Sequence, residues 1–370
     1  MEYFSFIWEY LLPFVVVLTV LVFVHELGHY WVARRCGVRI EVFSIGFGPE
    51  LVGWTDGKGT RWKISAIPLG GYVKMFGEGE TLDEDGATRA LTRAERAVSF
   101  KHKGLGQRAA VVFAGPAANF IFTFLVFAFF FSIYGQPFTP AEISSVDAES
   151  AAARAGVQAG DLITEVDGSK IERFEDIRRI IQINPGKTME IVVMRDGAEQ
   201  VLVATPTTKE IDDGSGGKVT IGLLGVRREG VSVREHNPAS AAWAAVFETW
   251  NLSVATLKYV GEMIIQTRST EGLGGPIKIA QMSGAVWKSG IEPLVILMAQ
   301  LSISLGLINL FPIPMLDGGH LLFYGIEAIR GRPLSEKAQE FGFRIGLVLV
   351  FSLMLFVVIN DIVNLPVWNT

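Results

Sequence analysis

The strongest constraint on this chain is that four of its stretches are long and apolar enough to cross a lipid bilayer. A spanning helix needs about 20 mainly apolar residues, because the hydrocarbon core is about 30 Å thick and each helical residue rises about 1.5 Å. The stretches with few or no charges are 6–33, 109–136, 293–316 and 341–360. We therefore predict a polytopic α-helical membrane protein with four transmembrane helices.

The composition agrees with this prediction and excludes other classes of protein. Hydrophobic residues make up 49% of the 370 residues and charged residues 19%, below the roughly 25% of charged residues usual in soluble domains. The chain has 33 basic and 38 acidic residues and lacks the basic blocks of nucleic-acid-binding proteins, so nucleic acid is not an expected partner. The single cysteine, Cys36, excludes an intrachain disulfide.

The distribution of lysine and arginine predicts the orientation in the membrane, because cytoplasmic loops carry an excess of both. The connections 34–108 and 317–344 are rich in basic residues, whereas the first twelve residues and the tail after residue 360 have none. The first stretch is read as retained, since Glu2 and Glu9 stand where a signal peptide would be basic. Both termini and residues 138–290 are therefore predicted to lie outside, which in a bacterium is the periplasmic side of the inner membrane.

The outer segment has the pattern of a soluble domain between residues 140 and 230. Asp-Gly pairs at 167–168 and 196–197 indicate tight turns between short strands, and 174–183 has helical periodicity. With the run Ala155-Gly-Val-Gln-Ala-Gly-Asp-Leu-Ile, this order resembles a PDZ domain of the bacterial protease type, which binds extended peptides by strand addition. The alternative is a small β-rich spacer without a ligand. Residues 212–218 are predicted to form a flexible loop and 231–290 amphipathic helices.

The strongest chemical signal is the motif His25-Glu26-Leu-Gly-His29 at the inner end of the first stretch. Residues i and i+4 share a helix face, so both imidazoles can bind one metal ion while Glu26 activates a water molecule. Ionisable groups within a membrane helix are costly unless they ligate something or face a polar cavity. The alternative is that both histidines are satisfied by hydrogen bonds in the core.

A catalytic zinc site needs a third protein ligand. Asp317 is the best candidate, because it follows the third apolar stretch at the membrane depth of the histidines. Pro312 and Pro314 are expected to distort that stretch, and Gly318-Gly319 to allow close approach of the backbone. Taken alone, Asp317 fits a helix-capping or turn residue better than a metal ligand. Glu41 and Glu50 are rival ligands, ranked second.

Together these features resemble the site-2 protease family of intramembrane zinc metalloproteases, specifically its bacterial regulator-cleaving type. The resemblance rests on the motif at 25–29, Gly-Pro-Ala-Ala-Asn at 115–119, the PDZ-like segment, and Asn-Leu-Phe-Pro-Ile-Pro-Met-Leu-Asp-Gly at 309–318. It implies a Zn²⁺ cofactor, His25, His29 and Asp317 as metal ligands, Glu26 as the catalytic base, and Asn309 as a substrate-binding residue. One departure is that the chain has room for one PDZ domain, whereas many relatives of this type carry two.

The resemblance also implies a membrane-associated β-like loop after the first span, at which the substrate is held. The further candidates for substrate binding are Gly70, Gly71, Tyr72, Pro312, Pro314 and Asn119. For Asn119 an interhelical hydrogen bond is an equally good expectation.

These expectations combine into one predicted organisation, with spans that include flanking residues. The predicted segments are a first span 1–36, a cytoplasmic or re-entrant β-like region 37–106, a second span 107–136, a periplasmic PDZ domain (α+β) 140–230, periplasmic amphipathic helices 231–290, a third span 291–325 and a fourth span 341–363.

The implied function is cleavage of peptide bonds within transmembrane segments, in regulated intramembrane proteolysis. The implied partners are the lipid bilayer and single-span membrane proteins such as an anti-sigma factor or signal-peptide remnants. A zinc carrier is an alternative, because intramembrane His and Asp also build ion pathways, although a carrier needs no base beside the metal. A catalytically silent PDZ scaffold is a third possibility.

Overall fold

A computed structural model describes residues 7–78, 90–212, 218–230, 232–265 and 274–363. After a π-helical turn at Ile7–Leu11, the helices are α1 (Leu12–Arg35), α2 (Arg93–Val98), α3 (Leu105–Tyr134), α4 (Ala151–Ala155), α5 (Phe174–Gln182), α6 (Pro238–Ile264), α7 (Pro276–Trp287), α8 (Ile291–Leu310), α9 (Asp317–Arg330) and α10 (Glu336–Val363). The strands are β1 (Ile40–Thr55), β2 (Arg61–Met75), β3 (Gln136–Phe138), β4 (Ser145–Val146), β5 (Leu162–Val166), β6 (Ser169–Lys170), β7 (Met189–Arg195), β8 (Ala198–Ala204), β9 (Thr207–Asp212), β10 (Lys218–Leu223), β11 (Val226–Arg227) and β12 (Ser232–Arg234).

Four helices within the described residues are long and apolar enough to cross a membrane, as predicted. They are Trp8–Arg35, Leu105–Tyr134, Ile291–Leu310 and Glu336–Val363. The third helix is shorter than predicted. The apolar stretch was 293–316 and the span with its flanking residues 291–325, but α8 ends at Leu310 and a separate helix begins at Asp317. The break contains Pro312 and Pro314, which lack the N–H that would continue the helix.

The chain divides into two compact units, which are described separately. Unit 1 comprises Met1–Ala128, Ala245–Val260 and Glu271–Thr370, and unit 2 comprises Phe129–Ala244 and Gly261–Thr270. The loop predicted at 212–218 lies largely outside the described residues. The described part of the region predicted as amphipathic helices contains the long helix α6 and the shorter α7.

Small residues let the helices of unit 1 approach closely. A Cβ on Gly28 would collide with the carbonyl oxygen of Ala114, so this glycine of α1 fits directly against α3. Between α3 and α8, the buried hydroxyl of Thr123 donates to the carbonyl oxygen of Ala299 at 2.8 Å. Lipid gives helices no hydrophobic reason to associate, so close packing and interhelical hydrogen bonds are what hold such helices together.

The strands β1 and β2 fold back on one another and form a sheet against α1. Residues 42–45 of β1 pair on one side with 71–74 and on the other with 61–64, and 61–64 also pair with 52–55. This arrangement leaves the stretch from Gly71 to Met75 as an edge, with no second strand beside it among the described residues. The β-like loop expected after the first span is therefore a bent antiparallel sheet, whose edge strand faces α1.

One buried carboxylate fastens the C-terminal end of the last long helix. Asp361 of α10 accepts hydrogen bonds from the backbone N–H groups of Gly275, Ile277 and Lys278, at 3.0, 3.0 and 3.2 Å. These are N–H groups of the first turn of α7, which otherwise lack partners inside that helix. Asp361 thus acts as a capping residue supplied by another helix.

Unit 2 is built around a four-stranded antiparallel sheet with the order β6-β5-β7-β8. Its two Asp-Gly turns are where the sequence predicts them, with positive φ at Asp167 and Gly168 (48° and 78°) and at Asp196 and Gly197 (52° and 79°). Such angles are those of the tight hairpin turns that favour Asp-Gly. The hydrophobic core lies between this sheet and the helices α4 and α5.

A buried ion pair holds the start of β5 to the end of β7 in unit 2. Arg195 donates through Nε and Nη2 to the two carboxylate oxygens of Asp161, each at 2.7 Å, and Gln158 N–H donates to the same carboxylate. Burial would raise the pKa of Asp161, but these hydrogen bonds outweigh it and hold the pKa below its usual value. Stabilisation by the pair is complete above the unfolded-state pKa of about 3.9 and is lost as the pH falls through the lower folded-state pKa.

We predict that Asp161→Asn loosens unit 2, because it leaves Arg195 without its charged acceptor. Hydrogen–deuterium exchange of the full chain at neutral pH should be faster by about tenfold or more at the amides of β7. Asp147→Asn is the matched control, since its ion pair with Arg227 is exposed and exposed pairs contribute little. Equal exchange in the two variants would contradict the prediction.

Candidate metal centre

Two histidines of α1 and one aspartate at the start of α9 converge on one point inside unit 1. His25 Nε2 lies 3.2 Å from His29 Nε2 and 3.1 Å from Asp317 Oδ2, and His29 Nε2 lies 3.5 Å from Asp317 Oδ1. Both histidines are buried, with 9% of each residue exposed. The buried Oδ2 of Asp317 accepts no hydrogen bond within the described part of the chain. The three side chains together could hold a metal ion.

The spacing of these atoms matches the size of a zinc site. A tetrahedral zinc ion with bonds of about 2.0–2.1 Å holds its ligand atoms about 3.3–3.4 Å apart. His25 Nε2 and His29 Nε2 are 3.2 Å apart, close to that value. Asp317 presents a different oxygen to each imidazole, at 3.1 and 3.5 Å, and one ligand atom from each of the three residues lies within 4.8 Å of the others. Two imidazole nitrogens and one carboxylate also form a ligand set that leaves the fourth position for water or substrate.

Glycines allow the loop before α9 to bring Asp317 to the histidines. A Cβ on Gly318 would collide with the carbonyl oxygens of Leu310 and Phe311, and one on Gly319 would lie 2.6 Å from Pro314 Cα. The close approach predicted for these two glycines is therefore confirmed. Met315 in the same loop has φ of 92°, which is unusual for a residue with a side chain and fixes the direction in which α9 begins.

The second long helix, α3, supports both imidazoles from behind. His29 Nδ1 donates to the carbonyl oxygen of Val111 at 2.9 Å, which leaves the Nε2 lone pair directed at the centre. The side chain of Asn119 contacts His25 Nδ1 at 3.2 Å. A Cβ on Gly115 would collide with the ring atoms of His29, so only glycine allows α3 to lie this close.

Asn119 is fully buried, and its predicted role in substrate binding stays a prediction. Its side chain faces the His25 ring, as in the alternative expectation of a hydrogen bond between helices. The atom that lies 3.2 Å from His25 Nδ1 is Asn119 Nδ2; turning the amide by 180° would bring Oδ1 to the ring, where it would accept from Nδ1–H and leave Nε2 of His25 free for a metal. That orientation also gives a partner to Asn119 Oδ1, a buried atom otherwise without one in the described part of the chain.

The other predicted residues fall into two groups. Gly71 lies beside the catalytic candidate, since a Cβ on it would be 3.1 Å from Glu26 Cγ; Gly70 and Tyr72 flank it in β2. Asn309 lies in the last turn of α8, partly buried, and Pro312 and Pro314 lie in the break that follows.

The rival ligands Glu41 and Glu50 do not join the metal cluster. Glu41 forms an ion pair with Lys74 at 2.9 Å, and Glu50 forms one with Arg61. Both are on the sheet of β1 and β2, paired with exposed basic side chains. This geometry agrees with the prediction that Asp317 is a better candidate for the third ligand than either glutamate.

Sequence reasoning missed the roles of Gly115 and Val111 as supports of the histidines. The Gly-Pro-Ala-Ala-Asn motif at 115–119 marked the region but not its use. Pro116 stands inside α3, and a proline in a helix is a signal of unusual backbone surroundings that could have drawn attention to this turn.

The chain is similar to known proteases along nearly all of its length. The family described as "Peptidase family M50" matches residues 13–353. "Putative zinc metalloprotease Atu1380" of Agrobacterium fabrum is 46% identical over 372 residues, covering 98% of this chain and 97% of its own length. "Metalloprotease MmpA" of Caulobacter vibrioides is 38% identical over 371 residues, covering 94% of this chain and 93% of its own.

Among solved structures, the PDZ domain of an SdrC-like protein from Listeria innocua matches 26% of this chain and 99% of its own length. The identity is 20% and the TM-score 0.20. The matches that span the whole chain are those to the proteases, and their names agree with a metal centre made of two histidines and an aspartate. The chain therefore belongs to peptidase family M50 and is a zinc metalloprotease.

Proposed function

We propose that this protein hydrolyses peptide bonds within the transmembrane segments of other membrane proteins. The observation that carries the proposal is the position of the metal centre. His25 and His29 lie on α1, a helix long and apolar enough to span the bilayer, about three and two turns before its last residue, Arg35. A protease whose ligands lie inside such a helix acts on chains that enter the membrane. The zinc-carrier and scaffold alternatives do not agree with membership of a peptidase family.

In this proposal His25, His29 and Asp317 are the zinc ligands and Glu26 is the catalytic base. These ligands would hold the zinc ion, and the chemistry it would supply when bound is polarisation of the scissile carbonyl group and a lower pKa of the attacking water. Glu26 accepts a proton from that water and delivers it to the leaving amine. The helical spacing places Glu26 next to His25 but on a neighbouring face, toward Gly71 and the edge of the β sheet.

A substrate helix has to open before it can be cut, because its carbonyl groups are bound in i to i+4 hydrogen bonds. The edge formed by Gly71 to Met75 has no second strand beside it among the described residues and lies next to Glu26. A substrate in extended form can pair with that edge through backbone hydrogen bonds, which replace the helical hydrogen bonds lost on opening. Each backbone group left without a partner in lipid would otherwise cost several kcal/mol. Asn309, Pro312 and Pro314 are proposed to bind the other side of the substrate.

The proposed location is the inner membrane of a bacterium, with both termini and unit 2 in the periplasm. Support comes from the lysine and arginine distribution along the chain. Unit 2, proposed to be a PDZ domain, restricts access to substrates whose outer portion has already been shortened. Single-span proteins such as anti-sigma factors or signal-peptide remnants are the proposed substrates, cleaved in regulated intramembrane proteolysis.

We predict that Glu26→Gln retains zinc and loses cleavage. Removing a general base typically lowers the rate by about 100-fold to 10,000-fold, while the three ligands remain. The measurement is cleavage of a single-span test protein by the purified enzyme in detergent, with zinc content determined on the same sample. The matched control is Glu50→Gln, which removes a carboxylate paired with Arg61 outside the centre and should leave both quantities unchanged. Wild-type cleavage by Glu26→Gln would exclude this mechanism.

We predict that Gly71→Ala impairs cleavage without loss of zinc. The added methyl group would lie 2.7 Å from Val22 Cγ1 and 3.1 Å from Glu26 Cγ, so the edge strand must shift. A displacement of about 1 Å can cost roughly 100-fold in rate. Gly57→Ala is the control, because a Cβ there meets nothing within 4 Å. The prediction fails if both variants cleave the test protein equally well.

We predict that Asn119→Leu weakens zinc binding, whereas Asn119→Asp preserves it. Both side chains are similar in size to asparagine, but only aspartate keeps an acceptor for His25 Nδ1–H. Partners of this kind typically contribute about 10-fold to 100-fold to metal affinity. Zinc retained during dialysis against a graded chelator measures the effect. Equal retention by the two variants would show that Asn119 serves packing alone.

A further inference from the structure

A basic depression lies at the end of α1, away from the metal centre. Its volume is about 570 Å³. The lining residues are Tyr30, Trp31, Arg34, Arg35, Gly37, Val38, Arg39, Lys58 and Val98. Four of the nine are cationic and two are aromatic, and the proteolytic mechanism uses none of them.

The four cations form no ion pairs in the described part of the chain. Its ion pairs include none formed by Arg34, Arg35, Arg39 or Lys58, and no acidic side chain lines the depression. One carboxylate, that of Asp56, lies beside the depression, where it accepts hydrogen bonds from neutral groups that include the Tyr30 hydroxyl and the backbone N–H of Lys58. Four cations beside one carboxylate give the depression a net positive charge.

Aromatic rings hold two of the guanidinium groups in place. Arg35 Cζ lies 3.9 Å from the centre of the Trp31 ring, and Arg39 Cζ lies 3.7 Å from the centre of the Phe76 ring. A guanidinium group stacked on a ring keeps its N–H donors free around its edge, in the planar fork that matches a phosphate group. Less side-chain entropy is then lost when an anion binds.

The end of α1 brings the cations together. Gly37 adopts φ of 69°, and Val38 N–H donates to the carbonyl oxygen of Ala33 at 2.9 Å, so the chain reverses direction immediately after the helix. This reversal returns Arg39 to the side of Arg34 and Arg35. Arg39 N–H is in turn bound to the carbonyl oxygen of Val98 at 3.0 Å. The site is thus shaped by the backbone as well as by side chains.

The position of the depression favours a lipid over a free anion. It lies where a membrane-spanning helix ends, the depth at which tryptophan and tyrosine contact phospholipid headgroups. Trp31 is 56% exposed, and Leu27, one turn earlier on the same face, is 36% exposed. An acyl chain can follow these two side chains into the membrane while its phosphate stays beside the cations. His25 and His29 are on the other side of the helix, in the buried centre.

We infer that this depression binds the phosphate headgroup of an anionic phospholipid. Basic pockets beside membrane helices bind such headgroups. The competing explanation is that Arg34 and Arg35 only complement the negative end of the helix dipole and orient the helix in the membrane. In that case the affinity for lipid would depend neither on the lipid headgroup nor on the arrangement of the cations.

The test is native mass spectrometry of the full-length protein in detergent, titrated with phosphatidylglycerol or phosphatidylcholine. The wild type should bind phosphatidylglycerol at least about tenfold more tightly than phosphatidylcholine, and R35Q/R39Q should lose about tenfold of that affinity. The matched control is R330Q/R332Q, which removes the same charge from two exposed residues outside the depression and should change the affinity less than about twofold. Lys58→Gln is a milder variant in the loop, with an expected loss of about threefold.

Three results would overturn the inference. The first is equal affinity for the two lipids, and the second is an equal loss in the two double variants. The third is displacement of phosphatidylglycerol by inorganic phosphate at an affinity like that of the lipid, which would make the depression a site for free phosphate. Zinc content in every variant establishes that unit 1 is folded, independently of any protease assay.

Discussion

The arrangement of unit 1 depends on the burial of one carboxylate against two imidazoles inside a helical membrane protein. Groups of this kind are costly in an apolar medium unless a partner compensates them. Their nitrogen and oxygen atoms approach to 3.1–3.5 Å, close enough for the three side chains to hold a metal ion. Most of the local features serve this convergence: Gly28 and Gly115 let α1 and α3 touch, and Gly318 and Gly319 let the loop of Asp317 fold tightly. The polar centre therefore requires glycine at these positions, because a Cβ would collide with neighbouring atoms.

Much of this centre could be predicted from the sequence, because its main parts are local. A helix places residues four apart on one face, so His25 and His29 required no knowledge of the fold. The pairing with Asp317 depended on a depth argument, since helix ends at one membrane surface lie at similar heights. What could not be predicted was the support from Val111 and Asn119, because periodicity does not tell which neighbouring helix faces an imidazole. For Asn119 the sequence left two roles open, and its contact with His25 Nδ1 agrees with the interhelical hydrogen bond.

The strands between the first two spans show the same limit. The family resemblance implied a β-like loop, but not that residues 61–64 pair on both sides with separate parts of β1. Such pairing depends on where a long strand bends, which the sequence leaves open. The helices were easier, because twenty consecutive apolar residues have few alternatives in a bilayer. The exception was the third span, where the effect of Pro312 and Pro314 was to end the helix rather than to bend it.

The proposed ligands come from opposite ends of the chain, and this has a consequence for biosynthesis. His25 and His29 leave the ribosome early, whereas Asp317 is made after unit 2 and three of the four spans are complete. A nascent or prematurely terminated chain therefore holds only two of the three zinc ligands. The growing polypeptide passes through the membrane-insertion machinery, among other unfolded membrane segments, without a working protease site. Because Asp317 is made late, a complete metal centre can form only after three of the four spans have been synthesised.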